Sequence, residues 1–280
     1  MVHAAADTTA ADSSPLIELD QLTVEFGRHR VLREISMSLS RGETLAVIGE
    51  SGCGKTVLLK TIIGLVRPSS GRVVFDGNDL GQLDERELTR QRIRFGFLFQ
   101  QAALFDSMTV AQNVAFPLRQ HTLKTEQEIR QIIFARLAEV GLPENVVHKK
   151  PAELSGGMRK RVGLARALAM EPEIMLYDEP TTGLDPIMSD VINELILGTR
   201  QKHLVTSVVV THDMRTAQKV ADRVMMFYPL SRLGDEESQV LYDGPPSEIE
   251  HARDLRVSQF IAGEAGERLM EMRLENGGDS

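Results

Sequence analysis

Gly49-Glu50-Ser51-Gly52-Cys53-Gly54-Lys55-Thr56 is the stretch whose reading decides the fold. Ahead of it stands the apolar run Leu45-Ala46-Val47-Ile48, and behind it Val57-Leu58-Leu59-Lys60-Thr61-Ile62-Ile63. The first run has the length of a buried strand, and the second has the apolar faces of a helix. Glycines at 49, 52 and 54 let the loop curl so that successive backbone N–H groups point inward at an anion. The helix beginning at Lys55 adds the positive end of its dipole to the same spot. In such a strand–loop–helix unit, Lys55 reaches the β- and γ-phosphates of a nucleotide and the Thr56 hydroxyl ligates magnesium. A glycine-rich turn that matches by chance is the alternative, and it would not need the flanking strand and helix. All eight residues, Gly49, Glu50, Ser51, Gly52, Cys53, Gly54, Lys55 and Thr56, are therefore taken as the nucleotide loop.

The chain of 280 residues has room for one large α/β domain or two small ones. A net charge of −8 argues against a nucleic-acid binder with a broad basic footprint. No apolar run approaches the roughly 18–20 residues that span a bilayer. Met1 to Ser14 has neither a basic start nor an apolar segment, so residues 1–15 are expected to be a disordered tail rather than a secretory signal. The single cysteine, Cys53, excludes an intrachain disulfide and suits a reducing, cytoplasmic setting. Near a helix N-terminus its thiolate form should be favoured, although a small filler residue is the simpler reading.

Outward from the loop, Ile17 to Phe26 alternates apolar and polar residues as a strand does, and Ile35, Met37 and Leu39 repeat that period. Val73-Val74-Phe75 and Arg94 to Phe99 are further strands. Asp84 with Glu87, Thr109 with Gln112, and Thr125 with Glu128 have the spacing of capping boxes. From about 101 to 165 the pattern is helical, with Ile129, Ile132, Ile133, Leu137 and Val140 on one face and Gly141-Leu142-Pro143 as a stop. Strand–helix alternation resumes up to Phe227, and Tyr242 to Pro246 closes the core. The expected fold class is α/β: a mostly parallel sheet core with an antiparallel β edge and an inserted helical subdomain. The expected organisation is a main domain over 16–250, the insertion at about 101–165, and a helical tail over 251–280.

Glu-Ile-Met-Leu-Tyr-Asp-Glu, residues 173–179, reads as a buried strand that delivers two adjacent carboxylates at its C-terminal end, where parallel sheets place ligands. Asp178 would hold magnesium and Glu179 would polarise the water that attacks the γ-phosphate. Two solvated acids at a strand end are the bland alternative. Ser207 to Thr211 is another apolar strand, followed by His212-Asp213, and His212 is positioned to bond the γ-phosphate. Leu154-Ser155-Gly156-Gly157-Met158 opens a helix carrying Arg159, Lys160, Arg161 and Arg166, a second cluster of N–H groups and so a second candidate anion site. One chain needs one γ-phosphate site, so the second makes sense where two copies face each other.

In these motifs the chain resembles the ATP-binding subunits of ABC transporters over about Leu16 to Gly244. The resemblance implies a P-loop NTPase of the ABC ATPase fold, with ATP and Mg2+ as cofactors. It makes Gly49 to Thr56 the Walker A loop and Ile174 to Glu179 the Walker B strand with its catalytic glutamate. Gln100 becomes the Q-loop glutamine that touches magnesium, Ser155, Gly156, Gly157 and Met158 the signature motif, and Gly183-Leu184-Asp185 the D-loop. His212 becomes the switch histidine, and Phe26 the aromatic residue that stacks on adenine, unless it is a core residue of its strand. Met158 stands where most of the family has glutamine.

A finer resemblance is to the ATPase of the Mla (maintenance of lipid asymmetry) system. It is carried by Phe97 to Asp106, Asn113 to Arg119, Met158, Asp178 to Ile187, and Val257-Ser258-Gln259-Phe260. The implied partners are a second copy of the chain in an ATP-sandwich homodimer, an integral membrane permease and an MCE-domain lipid-binding subunit. The implied location is the cytoplasmic face of the inner membrane. The segment with Phe116-Pro117-Leu118 would receive the permease, with Pro117 otherwise a helix kink or stop. The rival readings are the ATPase of a polar-solute importer, for example of amino acids, and a soluble ABC protein acting on DNA or ribosomes. Negative charge and a single short insertion argue against the soluble class.

Overall fold

Two sheets divide the strands. In the computed structural model, which describes residues 14–264, β1 (Ile17–Phe26), β2 (His29–Leu39), β4 (Ser70–Phe75) and the two-residue β5 (Asn78–Asp79) form an antiparallel sheet in the order β2-β1-β4-β5. The alternation read from Ile17 onward sets its register, with Ile17 opposite both Leu39 and Phe75. The larger sheet runs β10-β9-β3-β8-β7-β6. Its parallel strands are β9 (Arg223–Phe227), β3 (Thr44–Gly49), β8 (Thr206–Val210), β7 (Ile174–Asp178) and β6 (Phe95–Leu98), and β10 (Val240–Gly244) adds an antiparallel edge. The expectation of a parallel core with an antiparallel β part is met, with most of the antiparallel part in a sheet of its own. The strand over 240–244 was not foreseen, because Tyr242-Asp243-Gly244 reads as a turn when its partner β9 is out of view.

β3, β7 and β8 are buried at every position because both faces of the large sheet are covered, and this is why they read as unbroken apolar runs. On one face, Leu45, Val47, Leu176, Val208 and Val210 join Leu58, Leu59 and Ile62 of α1 (Lys55–Ile62) and the inward residues of the antiparallel sheet. On the other, Met175, Tyr177 and Val209 pack with α3 (Val110–His121), α4 (Glu126–Glu139), α5 (Gly156–Leu168) and α6 (Pro186–His203). Ala46, Ile48, Val224 and Met226 meet α7 (Met214–Val220) and α8 (Leu255–Ala262).

The three capping boxes form, at α2 (Glu85–Arg92), α3 and α4, each with reciprocal bonds between cap and third residue. Such a cap contributes about 1 kcal/mol. Ile129, Ile133, Leu137 and Val140 are buried, and Gly141 ends the helix at φ +67°. Pro117 sits inside α3, which continues to His121, so it is no helix stop. The tail expected over residues 1–15 lies outside the described residues as far as 13, and the tail over 251–280 lies outside them from 265; within the described part, α8 is capped by Asp254. No helix among the described residues is long and apolar enough to cross a membrane.

Parallel strands end at one edge. Gly49 pairs with Phe227, Val47 and Asp178 both with Val210, and Leu98 with Tyr177. The loop after β3, the carboxylates of β7, the histidine after β8 and Gln100 after β6 therefore share that edge.

Candidate active site

Two positions of the loop admit only glycine. Gly49 has φ +144°, and a Cβ there would lie 2.3 Å from the Phe227 carbonyl oxygen and 2.9 Å from Cys53 Sγ. Gly54, which caps α1, has φ +98°, and its Cβ would meet Leu32 Cδ2 at 2.7 Å. Lys55 is buried and folds back across the loop, its Nζ donating to the Gly49 oxygen at 2.7 Å and the Glu50 oxygen at 2.9 Å. A buried ammonium group held by two loop carbonyls and, at 3.9 Å, the Cys53 sulfur is poised to exchange them for phosphate oxygens. Cys53 is buried as well, and burial pushes its thiol up despite the nearby Lys55 ammonium. This corrects the expectation of a favoured thiolate: desolvation outweighs the helix terminus.

At the end of β7 the Thr56 hydroxyl donates to Asp178 Oδ1 at 2.8 Å. Burial holds the Asp178 carboxyl above its ordinary range, opposed by the Thr56 bond and reinforced by the neighbouring Glu179 charge. Two hard oxygen donors at this spacing fit a magnesium ion, which takes one or two protein ligands and completes its shell with water and phosphate. Among the described residues no group of three or more His, Cys, Asp or Glu could hold a metal ion.

Glu179 sits at φ +49°, an unusual conformation for a non-glycine residue. Several contacts fix it. Its N–H donates to the Val210 oxygen at 2.9 Å, and the Thr182 hydroxyl donates to Oε2 at 3.1 Å. Lys160 Nζ donates to the Glu179 and Pro180 carbonyl oxygens at 3.0 and 2.7 Å. Backbone strain of this kind persists where the surroundings over-determine it, and it concentrates at active sites. Burial pulls the Lys160 ammonium down to about 8. His212 Nδ1 lies 2.8 Å from Glu179 Oε2; an ionised carboxylate only accepts, so Nδ1 carries the proton. The His212 ring is more than half exposed and Glu179 is nearly covered.

The second glycine-rich helix start is built differently. Ser155 caps α5 by accepting the Met158 N–H at 3.2 Å, and it is exposed. A Cβ on Gly157 would meet Met188 Cε at 2.8 Å, so this turn lies directly on the first turn of α6. Asp185, also exposed, caps α6 by accepting the Ile187 and Met188 N–H groups at 3.0 Å. The ABC transporter family model matches residues 32–182, which hold the loop, the β7 carboxylates and the Ser155 turn. The chain belongs to the ABC transporter family.

It carries that family's ATP-binding, ATP-hydrolysing fold. It is 43% identical over 231 residues to the probable ribonucleotide transport ATP-binding protein mkl of Mycobacterium tuberculosis, an alignment covering 82% of this chain and 64% of that protein. It is 40% identical over 250 residues to the intermembrane phospholipid transport system ATP-binding protein MlaF of Haemophilus influenzae, covering 89% of this chain and 91% of that one. A dimeric, post-hydrolysis state of the ATP-binding cassette MJ0796 bound to ADP and Pi is 32% identical, with a TM-score of 0.73 over 82% of this chain and 98% of that chain.

The ABC fold brings Lys55, the Thr56–Asp178 pair and the Glu179–His212 pair to one edge of the sheet. Gln100 is exposed just beyond β6 at the same edge. Phe26 is 52% exposed at the end of β1, which removes the core reading and leaves its ring face open. Ser155, Gly156, Gly157 and Asp185 are not brought to the loop: among the described residues no hydrogen bond joins Ser155–Met158 to Gly49–Thr56. Lys160, which had been read as part of a basic cluster, is buried. The spacing Gly157–Lys160–Leu164–Leu168 already marks the inward face of α5 and could have identified it.

Proposed function

We propose that the chain is the ATPase subunit of a membrane ABC transporter, working as a homodimer on the cytoplasmic face of the inner membrane and powering phospholipid transport of the Mla type. The two hydrogen-bonded pairs beside the phosphate loop, Thr56–Asp178 and Glu179–His212, are the observation that carries the chemistry. In this reading the N–H groups of Gly49–Thr56 and the Lys55 ammonium hold the β- and γ-phosphates, and the exposed Phe26 ring stacks on adenine. Thr56, Asp178 and Gln100 would hold magnesium, which would supply charge neutralisation on the phosphates. Glu179, fixed by Lys160 and Thr182, takes the proton of the attacking water. His212 orients that carboxylate through Nδ1 and turns its other nitrogen to the γ-phosphate. Ser155, Gly156, Gly157 and Asp185 of the partner copy complete the pocket, so ATP closes the dimer and loss of γ-phosphate opens it.

A groove of about 310 Å3 between Phe97, Phe99, Phe105, Phe116, Pro117 and Arg166 supports a permease contact. Phe105 is 41% exposed there, with its ring 4.7 Å from that of Phe116. The phospholipid reading rests on the alignment with the MlaF relative, which runs over nearly the whole of both chains. The mkl relative, at somewhat higher identity, favours a second reading, a transporter of a polar solute such as a ribonucleotide. Purification of the tagged chain from mildly solubilised membranes, with mass spectrometry of proteins and lipids, separates the two. A permease with an MCE-domain protein and bound phospholipid supports the lipid reading. A permease with a solute-binding protein and no lipid supports the other, and no membrane partner at all defeats both.

A further inference from the structure

The connection between β9 and β10, residues 228–239, reaches back over the phosphate loop and grips it twice. Gln239 is 1% exposed, and its side-chain amide is spent on three partners in two other elements. Its Nε2 donates to the Cys53 oxygen and to the Val31 oxygen, both at 3.0 Å, and its Oε1 accepts the Arg33 N–H at 2.9 Å. In a trans peptide the carbonyl and the following N–H point to opposite sides. With the Cys53 oxygen turned to Gln239, the Gly54 N–H is turned to the other side of the loop. The second grip is electrostatic. Arg232 Nη1 donates to Glu50 Oε1 at 2.8 Å, with the two side chains 18% and 22% exposed.

The connection is itself anchored. Arg33 Nη2 donates to the Gly234 oxygen at 2.9 Å, Arg256 Nη1 to Glu237 Oε1 at 3.2 Å, and the Arg256 guanidinium lies 5.1 Å from the Tyr228 ring centroid. It follows Phe227, the residue whose carbonyl the missing Cβ of Gly49 accommodates. It also walls a cavity of about 310 Å3 whose opposite side is Val31, Arg33 and Gly52.

We propose that Arg232 and Gln239 are positioning residues of the nucleotide site: Gln239 fixes the shape of the phosphate loop, and Arg232 holds the Glu50 carboxylate away from the bound phosphates and cancels its charge. An acidic side chain inside a loop that must receive a polyphosphate is a like-charge conflict, and an arginine within hydrogen-bond distance removes it. No such conflict exists at Ser51 or Thr56, and Lys55 cannot resolve it while its own charge is committed to phosphate. The inference rests on MgATP being the ligand of Gly49–Thr56.

Titration of the full-length chain with MgATP in a Glu179→Gln background, together with steady-state KM and kcat of the hydrolysing forms, tests it. Arg232→Ala should raise Kd and KM about tenfold at low salt, and less at high salt, while kcat changes about twofold or less. Adding Glu50→Gln to Arg232→Ala should return Kd to within about threefold of the parent, because the charge that needed cancelling is gone. Gln239→Leu should raise Kd about as much as Arg232→Ala, but without salt dependence and without rescue by Glu50→Gln. An unchanged Kd in Arg232→Ala, or a double variant as weak as the single one, overturns the proposal. The parent and Lys55→Ala are the controls. A parent that binds no MgATP overturns the nucleotide reading itself. A parent that binds, with Lys55→Ala impaired and Arg232→Ala normal, overturns the proposal and leaves the nucleotide reading standing.

Discussion

Two helices in this chain begin on glycine-rich turns, and they are finished to different degrees. The start of α1 is buried and cross-braced: Lys55 folds over the loop, Thr56 is bonded to Asp178 of β7, and Gln239 holds the Cys53 carbonyl. At the start of α5 Ser155 is exposed, and among the described residues its hydroxyl bonds nothing further away than Met158. Both present N–H groups to an anion, but only the first has its surroundings within the same chain. The difference teaches where the proposed dimer needs a second copy: the loop at Gly49–Thr56 is braced from within the chain, and the Ser155 turn is the side left for a partner to complete.

The hardest test of that contrast falls on Glu179. Glu179→Gln should leave MgATP binding within about threefold and lower turnover by about 10²–10⁴-fold, the range for a lost general base. Phosphate release and equilibrium binding on the same preparation measure both. Turnover at the parent rate would remove Glu179 from the chemistry. If the Ser155 turn is completed in trans, the variant should also accumulate as an ATP-bound dimer in size-exclusion chromatography, with no such shift for Lys55→Ala. Lys55→Ala should itself bind at least about tenfold more weakly, the worth of a charge-assisted bond to phosphate.

Mixing two impaired chains sharpens the comparison. Homodimers of Lys55→Ala lack a working loop, and homodimers of Ser155→Arg lack a working turn. A mixed pair keeps one intact pocket, so co-refolded equal mixtures should recover about a quarter of parent activity if the pockets act independently. A mixture no more active than its components would mean that each chain completes its own site.

The loop was legible in the sequence because strand, glycines, lysine and helix are contiguous, and every requirement of a phosphate cradle falls within about fifteen residues. Asp178 and Glu179 were legible for a related reason, since an apolar run ending in two acids is a local pattern. The bond between Glu179 and His212 was not, because it joins residues 33 apart on neighbouring strands. Gln239 was further out of reach: its partners Val31 and Cys53 lie 208 and 186 positions away, and nothing around it repeats with a period. Cys53 misled for a physical reason, as a helix terminus is visible in the sequence and the depth of burial is not. Strand pairing that depends on a distant partner, as in β10, was lost in the same way.

A smaller effect separates the metal side of the loop from its anion side. Burial raises the folded-state value of the Asp178 carboxyl, so the folded chain binds that proton more tightly than the unfolded chain does. Its contribution to stability is present below the unfolded carboxylate range and is lost as pH rises through the raised folded value. Magnesium with nucleotide should offset that loss. At 100 times Kd the gain is about 2.7 kcal/mol, or roughly 5–10 °C in Tm for a chain of this size. ATP with a chelator should give a smaller rise, and Asp178→Asn should abolish the magnesium increment without lowering the Tm of the ligand-free chain. An increment that survives in Asp178→Asn would move the metal to other residues.

The smallest effect distinguishes a cap from a cap that also binds. Ser155 and Thr109 both accept the N–H of the third helical residue, at 3.2 and 3.3 Å, and both are exposed or partly exposed. Each accepts one backbone N–H as a cap, so Ser155→Ala and Thr109→Ala should each cost about 1 kcal/mol in urea unfolding. A hydroxyl that accepts from the backbone still has its own O–H to donate. In the proposed dimer only the Ser155 hydroxyl has a phosphate of the partner copy's nucleotide to donate to, and Thr109 has none. Ser155→Ala should therefore lower kcat/KM about three- to tenfold, the loss of one hydrogen bond to a charged group, while Thr109→Ala leaves it within error. Equal stability losses with equal, unchanged kinetics would reduce the turn at Ser155 to a helix start like any other in the chain.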